Sequence, residues 1–323
     1  MSDAAPWWSV LAAPALLSDA APWWGVLAAP ALLVALALLA VAGDGALSAR
    51  AAGRPVTLSA VARPLLEVPR LLVEQPRRLP APDVPLWRIG VVTVPVAAVL
   101  SVVVVPLGPF AISGLSVGLV WFNAMEVLTW AGLWLAGWGP NAAFSLVGGY
   151  RYLAQGLAYE LPLMLALMTP AIGAQSLRIG DIAAAQGGLW FAVWMPVAFA
   201  VHLGSVLAFS FTGPFAYPAG GDIAGGVFGE TSGPDRLLLS AGRWLWLAAG
   251  SAMAVPLFLG GGAGPWLPGW AWSLVKTVAV LALLVWARRR LPVVRADRYM
   301  EVAWVVLLPL SVLQALVPAL VVL

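Results

Sequence analysis

Long apolar runs are the feature that most constrains how this chain can fold. Eight stretches are apolar enough and long enough to cross about 30 Å of hydrocarbon as helices. They lie at about residues 24–42, 88–106, 111–138, 152–175, 188–211, 237–260, 269–287 and 302–322. With 62% hydrophobic and 10% charged residues, the composition is far from that of a soluble domain. We therefore predict an all-α polytopic membrane protein with about eight transmembrane helices, in which residues 24–323 form a single transmembrane domain.

The distribution of basic residues predicts the orientation. Fifteen of the 17 cationic residues lie in or beside alternate loops, chiefly the long loop at 43–87 and the stretch that begins at Arg288. Because basic loops stay on the cytoplasmic side, these loops are predicted to be inner and both termini to face the periplasm. This indicates a multi-pass protein of the bacterial inner membrane, and no soluble basic face suggests a nucleic-acid partner.

The chain has no cysteine and a single histidine, His202. Iron–sulfur clusters require thiolates, structural zinc usually requires Cys or His sets, and bis-histidine haem requires two imidazoles. We therefore expect no metal site, no cofactor bound covalently or by metal ligation, and no electron carrier. His202 is expected to be a packed helix residue, with a proton-relay role as the lesser alternative.

The amino terminus contains a tandem repeat. Residues 2–17 and 18–33 differ only at Ser9 and Gly25. The second copy runs into the first predicted span, whereas the first copy is too short to cross a membrane. Residues 1–23 are therefore interpreted as an outer segment that lies on the membrane surface and has no function of its own.

The inner loop contains a stretch at 58–79 that alternates apolar and charged residues. This pattern is typical of an interfacial helix, although Pro64, Pro69 and Pro76 are expected to interrupt it. It is equally consistent with a surface segment and with a docking site for a soluble partner. A second inner loop is predicted at 212–236.

Two glutamates lie inside apolar spans. A charged side chain at mid-bilayer costs roughly 2.5 to 3.5 kcal/mol on insertion scales, so Glu126 and Glu160 need a partner or a function. The two lie at similar depth in neighbouring antiparallel spans, and nearby carboxylates in a low dielectric do not ionise together. Such a pair favours a proton relay. The alternative is that each holds a separate hydrogen-bond network with Asn123, Thr129, Gln155 or Tyr159.

Two cations within the spans also admit two interpretations. Lys276 can snorkel toward the outer surface or lie on a buried polar axis. Arg243 is expected to snorkel or to pair with an acid rather than to serve catalysis; the candidate partners are Asp235, Asp222 and Glu230.

Several blocks in the chain are similar, in the same order, to one family. Gly137-Trp138, Asn141, Gly148, Arg151, Gln155, Tyr159-Glu160 and Pro162 match G-W-x-x-N…G-x-x-R-x-x-x-Q-x-x-x-Y-E-x-P without a gap. Further similar blocks are Arg63–Leu72, Glu230 with Ser232-Gly233, Leu257–Gly261 with Gly264-Pro265, Leu274–Thr277, and Arg288–Leu310. Over about residues 34–315 the chain resembles the H subunit (subunit 1 family), a membrane subunit of NADH:quinone oxidoreductase, respiratory complex I.

The resemblance implies a non-redox membrane subunit of a proton-translocating enzyme that is not catalytic alone. Such a subunit anchors a soluble arm of iron–sulfur proteins, works with other membrane subunits, and shares quinone as a substrate with its partners. Among the proton-path candidates, Glu160, Lys276, Tyr159 and Gln155 match the family's motifs, and Glu126 is added because it lies at the depth of Glu160. The resemblance implies quinone-chamber or coupling-loop candidates at Pro214, Phe215, Asp222, Glu230 and Arg243. It implies soluble-arm interface candidates at Glu67, Arg70, Arg151, Arg288, Arg295 and Asp297.

The chain departs from the family pattern between the fifth and sixth predicted spans. Where the family has A-E-T-N-R-x-P-F-D-L-P-E-A-E, the matches are confined to Pro214, Phe215, Pro218 and Asp222, and most acids are absent. Arg243 also stands where the family usually has glutamate. Three alternatives therefore stay open: a non-coupling membrane scaffold, the equivalent subunit of a membrane-bound hydrogenase, and an independent ion or solute transporter.

Overall fold

The fold is a bundle of long apolar helices. A computed structural model describes residues 24–322, so most of the tandem repeat lies outside the described residues. Within that range, seven helices are long and apolar enough to span a membrane: Gly25–Ala51, Val84–Val104, Gly118–Trp138, Ala143–Ala174, Gly233–Phe258, Gly269–Arg290 and Ala296–Val322. The predicted all-α architecture is confirmed, since the pairing of extended backbone in these residues is limited to an isolated bridge between Leu107 and Phe110.

The described helices are numbered in chain order. They are α1 (Gly25–Ala51), α2 (Leu58–Val73), α3 (Val84–Ser101), α4 (Gly118–Trp138), α5 (Ala143–Ala174), α6 (Ile179–Ala184), α7 (Phe191–Trp194), α8 (Pro196–Phe209), α9 (Gly233–Phe258), α10 (Gly269–Arg290), α11 (Ala296–Val302) and α12 (Leu308–Val322). A 3₁₀ turn at Val102–Val104 extends α3, and a π-helical segment at Ala303–Leu307 joins α11 to α12.

The span predicted at 188–211 is broken. It consists of α7 and α8, and the backbone between them leaves helical geometry at Met195, which has φ −120° and ψ 48°. Pro196 follows directly, and because proline lacks an N–H it begins a helix rather than continuing one. With 14 residues, α8 is about 21 Å long, which is shorter than the hydrocarbon core. His202 within it is buried and its Nε2 lies 3.1 Å from the carbonyl oxygen of Gly250, so it is a packed residue.

The expectation that prolines interrupt the amphipathic stretch is wrong for two of the three. α2 continues through Pro64 and Pro69 and ends at Val73, before Pro76. A proline at position 64 removes the N–H that would bond to the Ala60 carbonyl. That carbonyl instead faces α1 at Gly45, where an added Cβ would lie only 2.9 Å from the oxygen. The glycine thus lets the two helices approach where the proline leaves an acceptor free.

The contact between α4 and α5 positions the polar interior. Gly156 on α5 lies against the Trp130 ring of α4, and an added Cβ would come within 2.7 Å of Trp130 Cε2. The missing side chain therefore makes room for the indole between the helices. The Trp130 and Tyr159 rings meet edge to face, with centroids 6.0 Å apart.

The segment between α8 and α9 is a compact series of 3₁₀ turns at Gly213–Phe215, Tyr217–Ala219, Gly221–Ile223 and Gly226–Phe228. We call residues 210–232 the α8–α9 loop. It is joined to the segment before α11, because the Val294 N–H donates a 2.7 Å hydrogen bond to the Pro214 carbonyl. The Phe215 and Tyr299 rings also pack edge to face with centroids 4.6 Å apart. The loop is thus fixed against α11, and several of its residues are buried.

Candidate functional site

Glu126 occupies the centre of the polar interior. Its side chain is fully buried on the face of α4 that meets α5. Tyr159 donates a 2.5 Å hydrogen bond to Glu126 Oε1, and the Trp130 indole N–H is 3.0 Å from both Glu126 Oε1 and the Tyr159 hydroxyl. Trp130 reaches the carboxyl because it lies four residues after Glu126, on the same face of the helix.

Glu160 completes the pair. Asn123, one turn before Glu126 on α4, donates a 2.9 Å hydrogen bond from its amide nitrogen to Glu160 Oε1. Because Asn123 and Glu126 lie one turn apart on α4 and Glu160 directly follows Tyr159 on α5, these bonds bring the two carboxyl groups close together. Each has a buried Oε2 without a hydrogen-bond partner among residues 24–322. Both alternatives drawn from the sequence thus have a counterpart here, since each glutamate has its own donor and the two carboxyls lie near each other.

Polar groups lead from this pair toward α8. The Tyr152 hydroxyl is 3.5 Å from the Tyr159 hydroxyl and donates a 3.0 Å hydrogen bond to the Phe209 carbonyl. Gln155 donates a 2.8 Å hydrogen bond from its amide to the Ala208 carbonyl. These two carbonyls lie at the end of α8, immediately before the α8–α9 loop. The Glu126 carboxyl and the two tyrosine hydroxyls therefore form a buried series of hydrogen-bonding groups from Glu126 to the start of that loop.

Two residues of this polar cluster, Trp130 and Tyr152, were not among the residues singled out from the sequence. Their spacing could have indicated them, because Tyr152 lies seven residues before Tyr159 on α5 and Trp130 lies four residues after Glu126 on α4. These spacings place the side chains on the same helix faces as the predicted residues.

Lys276 is the proton-path candidate that lies apart from the carboxyl pair in its contacts. Its ammonium donates to the carbonyls of Leu259 at 2.7 Å, Gly261 at 3.0 Å and Ala263 at 2.7 Å. The Trp190 ring lies 4.5 Å from the same nitrogen. All three ammonium donors are therefore occupied by the loop between α9 and α10. The side chain is buried rather than snorkelling.

Asp222 in the α8–α9 loop is paired with Arg151 on α5. The guanidinium makes two hydrogen bonds to the carboxylate, at 2.6 and 3.0 Å, and lies 3.9 Å from the Tyr217 ring centroid. This bidentate contact with Arg151 holds the pKa of Asp222 below its usual range. Arg151, expected at the interface with a soluble arm, thus helps to fix the loop to the bundle.

Arg243 does not pair with an acid of the loop, and the expected pairings with Asp235, Asp222 or Glu230 are wrong. Asp222 is engaged by Arg151, and Glu230 forms a 3.0 Å ion pair with Arg77. Arg243 lies instead beside two aromatic rings, with its guanidinium carbon 5.4 Å from the centroid of Phe211 and 5.8 Å from that of Phe228.

Asp44 joins the ends of α1 and α10. Arg289 donates two hydrogen bonds to its carboxylate, at 2.7 and 2.5 Å, and Arg288 lies 3.0 Å from its Oδ1. Arg288 also stacks over Trp244 at 4.4 Å. Asp44 and Arg289 were missed in the sequence because 245 residues separate them.

The other predicted interface residues form exposed local pairs. Glu67 and Arg70 on α2 are 3.0 Å apart, and Arg295 and Asp297 at the start of α11 are 3.2 Å apart. Exposed pairs of this kind add little stability, so these side chains are free to contact a partner.

A cavity of ~540 Å³ lies between α1, α2 and α9. Its wall is mostly apolar, with charged groups from α2 and α9, and is formed by Val34, Ala37, Leu38, Val41, Pro64, Leu65, Glu67, Val68, Arg70, Leu71, Glu74, Arg236, Leu237, Ser240, Ala241, Trp244 and Leu245. In the part of the chain that the structure describes, no three His, Asp or Glu side chains are grouped as metal ligands would be.

Comparison with known proteins assigns the chain to a family. A family profile described as NADH dehydrogenase matches residues 24–319, which is nearly the whole described range. The chain is 35% identical over 266 residues to the NADH-quinone oxidoreductase H subunit numbered 1 of Geobacter metallireducens, covering 79% of this chain and 81% of that protein. The chain belongs to the H-subunit family of NADH-quinone oxidoreductases.

Other members of the H-subunit family give the same result. The H subunit numbered 2 of Rhodopseudomonas palustris is 37% identical over 256 residues, covering 78% of this chain and 80% of that protein. The H subunit of Geobacillus kaustophilus is 34% identical over 261 residues, covering 79% and 78% respectively. The resemblance seen in the ordered motifs is confirmed, and the chain is a multi-pass membrane protein.

Proposed function

We propose that this chain acts as the H subunit of a complex I-like NADH:quinone oxidoreductase in the bacterial inner membrane. It is a non-redox component of a proton-translocating enzyme and assembles with other subunits of that complex. Through the exposed charged pairs Glu67–Arg70 and Arg295–Asp297 it anchors a soluble arm, whose iron–sulfur subunits supply the electrons. Family membership supports the assembly, and the exposed charged pairs support the docking face.

The neighbouring carboxyls of Glu126 and Glu160 are the observation that carries this proposal. Facing carboxyl groups in a low-dielectric interior exchange protons as a pair rather than titrating separately. Intramembrane acids that face the bundle interior commonly mark proton routes. Tyr159, Tyr152 and the end of α8 extend this pair toward the α8–α9 loop. We propose that the chain begins a proton path here, and that rearrangement of the loop changes the protonation of the pair.

The cavity between α1, α2 and α9 supports a role in quinone access. Its ~540 Å³ volume and mostly apolar wall suit a quinone head group arriving from the bilayer. Quinone is then a substrate that the chain shares with its partner subunits, and no residue of this chain exchanges electrons with it. Pro214, Phe215, Asp222, Glu230 and Arg243 in or beside the α8–α9 loop are the candidates for sensing quinone reduction.

The experiment is purification of the tagged chain in mild detergent, followed by reconstitution into proteoliposomes. A large assembly with iron–sulfur subunits that couples NADH oxidation by quinone to proton uptake is the expected result. A monomer that moves ions or solutes by itself would support the transporter instead, and quinone-independent hydrogen evolution would support the hydrogenase.

Substitution of the pair separates coupling from scaffolding. Glu160→Gln and Glu126→Gln should each abolish proton uptake while the complex still assembles. The matched control is Glu301→Gln, because Glu301 is an exposed glutamate on α11 that pairs with Arg298 at 3.1 Å. Normal proton uptake in both pair variants would exclude the relay and favour a non-coupling scaffold.

A further inference from the structure

Arg243 is a cation in a spanning helix that has no ion-pair partner among residues 24–322. Its Nε is inaccessible to solvent, and the side chain makes no hydrogen bond or ion pair with any of residues 24–322. The position is ten residues into α9, about 15 Å along the helix axis from Gly233. An unpaired charge at such a site is costly, and arginines within membrane spans normally pair with an acid or with backbone carbonyls.

The nearby acids are already engaged by other arginines. Asp44 accepts two hydrogen bonds from Arg289 and an ion pair from Arg288. Arg243 lies near Arg288, because its guanidinium is 5.4 Å from the Phe211 ring and Gly213, two residues after Phe211, packs against the backbone of Arg288. Arg288 is itself incompletely satisfied, because its Nε has no hydrogen-bond partner among the described residues. Arg288 and Arg289 therefore engage this carboxylate, and among residues 24–322 no acid is left that pairs with Arg243.

The surroundings of Arg243 favour a bound oxyanion. The side chain keeps part of its surface accessible, so a ligand can reach it. Phe211 and Phe228 on one side, and Trp244 beneath Arg288, supply apolar walls that strengthen a charge-assisted hydrogen bond. Arg288 is in the last turn of α10, where a spanning helix reaches the level of lipid head groups.

We propose that Arg243 and Arg288 form a binding site for a phosphate group, at the end of the bundle where α1, α9 and α10 meet. Guanidinium groups match phosphate geometry, and a phosphodiester carries one negative charge, which offsets the charge of Arg243 that no carboxylate neutralises. The phosphate comes from the head group of an anionic phospholipid or from free phosphate. The proposal concerns binding alone and does not depend on the proposed redox function.

The test uses the assembled complex in nanodiscs of phosphatidylcholine, whose phosphate is neutralised by its own choline, with and without phosphatidylglycerol, whose phosphate carries a net negative charge. Thermal unfolding and the amount of phosphatidylglycerol retained after washing are measured. Phosphatidylglycerol should raise the melting temperature, and Arg243→Met should remove that shift and weaken retention about tenfold. In phosphatidylcholine alone, Arg243→Met should unfold at a higher temperature than the wild type, because the variant lacks the unpaired charge.

The matched control is Arg290→Met, which removes an exposed cation two residues after Arg288. It should leave the shift intact. If inorganic phosphate in phosphatidylcholine discs produces the same Arg243-dependent shift, the site takes free phosphate; if only the lipid does, it takes the head group. Arg243→Gln is the second variant should Arg243→Met fail to fold.

Two results would overturn the proposal. One is a shift of equal size in the wild type and in Arg243→Met, or no shift with either probe. The other is a structure of the assembled complex in which a partner subunit's carboxylate bonds to Arg243. Since both readouts are binding and stability, a complex inactive toward quinone would contradict the proposed function without affecting this test.

Discussion

Tyr159 on α5 donates a 2.5 Å hydrogen bond to Glu126 on α4, and this bond joins two helices through polar groups that are fully buried. The same hydroxyl receives the Trp130 N–H at 3.0 Å and lies 3.5 Å from the Tyr152 hydroxyl. Tyr159 is thus the point where the carboxyl pair meets the chain of groups that leads to α8. In the proposed path its hydroxyl passes a proton between them, which requires that the helices keep this spacing.

Tyr159→Phe should slow proton uptake more than it lowers stability. The change deletes the hydroxyl and leaves Glu126 Oε1 with Trp130 as its remaining donor. Loss of a buried hydrogen bond costs about 1 to 3 kcal/mol, so assembly should survive. Proton uptake per NADH oxidised, measured in proteoliposomes, should fall severalfold. Tyr150→Phe is the control, because the Tyr150 side chain is exposed on the same helix; equal uptake in the two variants would remove Tyr159 from the path.

Gly156→Ala should disturb the carboxyl pair from a distance. The new Cβ would lie 2.7 Å from the Trp130 ring, so the indole must move away from Glu126 and Tyr159. Overpacking of this kind costs about 1 to 3 kcal/mol, and we expect a lower melting temperature together with reduced proton uptake.

Gly204→Ala is the matched control for that substitution. Gly204 is also within a helix, and a Cβ there would meet no atom within 4 Å. Alanine should therefore be neutral or stabilise α8 by up to about 1 kcal/mol. If both variants unfold at the same temperature, the space between Gly156 and the Trp130 ring is not tightly packed.

How much of this arrangement the sequence could predict depends on whether a feature is local. Apolar run length predicted most of the helices, and helix rise placed Glu126 and Glu160 at similar depth. Depth does not show how each helix is rotated about its axis, so the closeness of the two carboxyl groups could not be predicted from the sequence. Asp44 with Arg289 and Lys276 with the carbonyls of residues 259–263 were unpredictable for another reason: the partners are distant in sequence or are backbone groups with no residue signature.

Sequence rules for proline also failed where a neighbouring helix accommodates the loss of the hydrogen bond that the proline removes. Pro64 was expected to end α2, yet the acceptor it leaves on Ala60 faces Gly45 of the neighbouring helix. The prediction of one continuous span at 188–211 was wrong for the opposite reason. Its composition is apolar throughout and gave no sign that the helix breaks before Pro196.

Acid should release the α8–α9 loop from α5. Arg151 lowers the pKa of Asp222 in the folded protein, so the pair stabilises the fold above the carboxyl's unfolded pKa of about 4. That stabilisation is lost as the pH falls below about 4 and through the lower folded value. Limited proteolysis of the loop between pH 7 and pH 3 should show increasing cleavage at the acid end. Asp222→Asn should be cleaved readily at every pH. If cleavage of this variant depended on pH in the same way as cleavage of the wild type, the role of the pair would be contradicted.

Lys276→Met should destabilise the protein without changing the coupling ratio. The ammonium satisfies three carbonyls of a loop in which Gly260 and Gly261 have positive φ values of 68° and 52°, so the loop depends on this side chain for its shape. Leaving buried carbonyls without a donor costs about 1 to 3 kcal/mol for each group. The melting temperature should therefore drop, while proton uptake per NADH in the surviving complex stays normal, because the contacts of Lys276 are separate from those of the carboxyl pair. Arg178→Met, which removes an exposed cation, should change neither quantity. The opposite pattern, an unchanged melting temperature with lost proton uptake, would return Lys276 to the proton path, since a residue that only shapes a loop cannot abolish transfer and leave the fold intact.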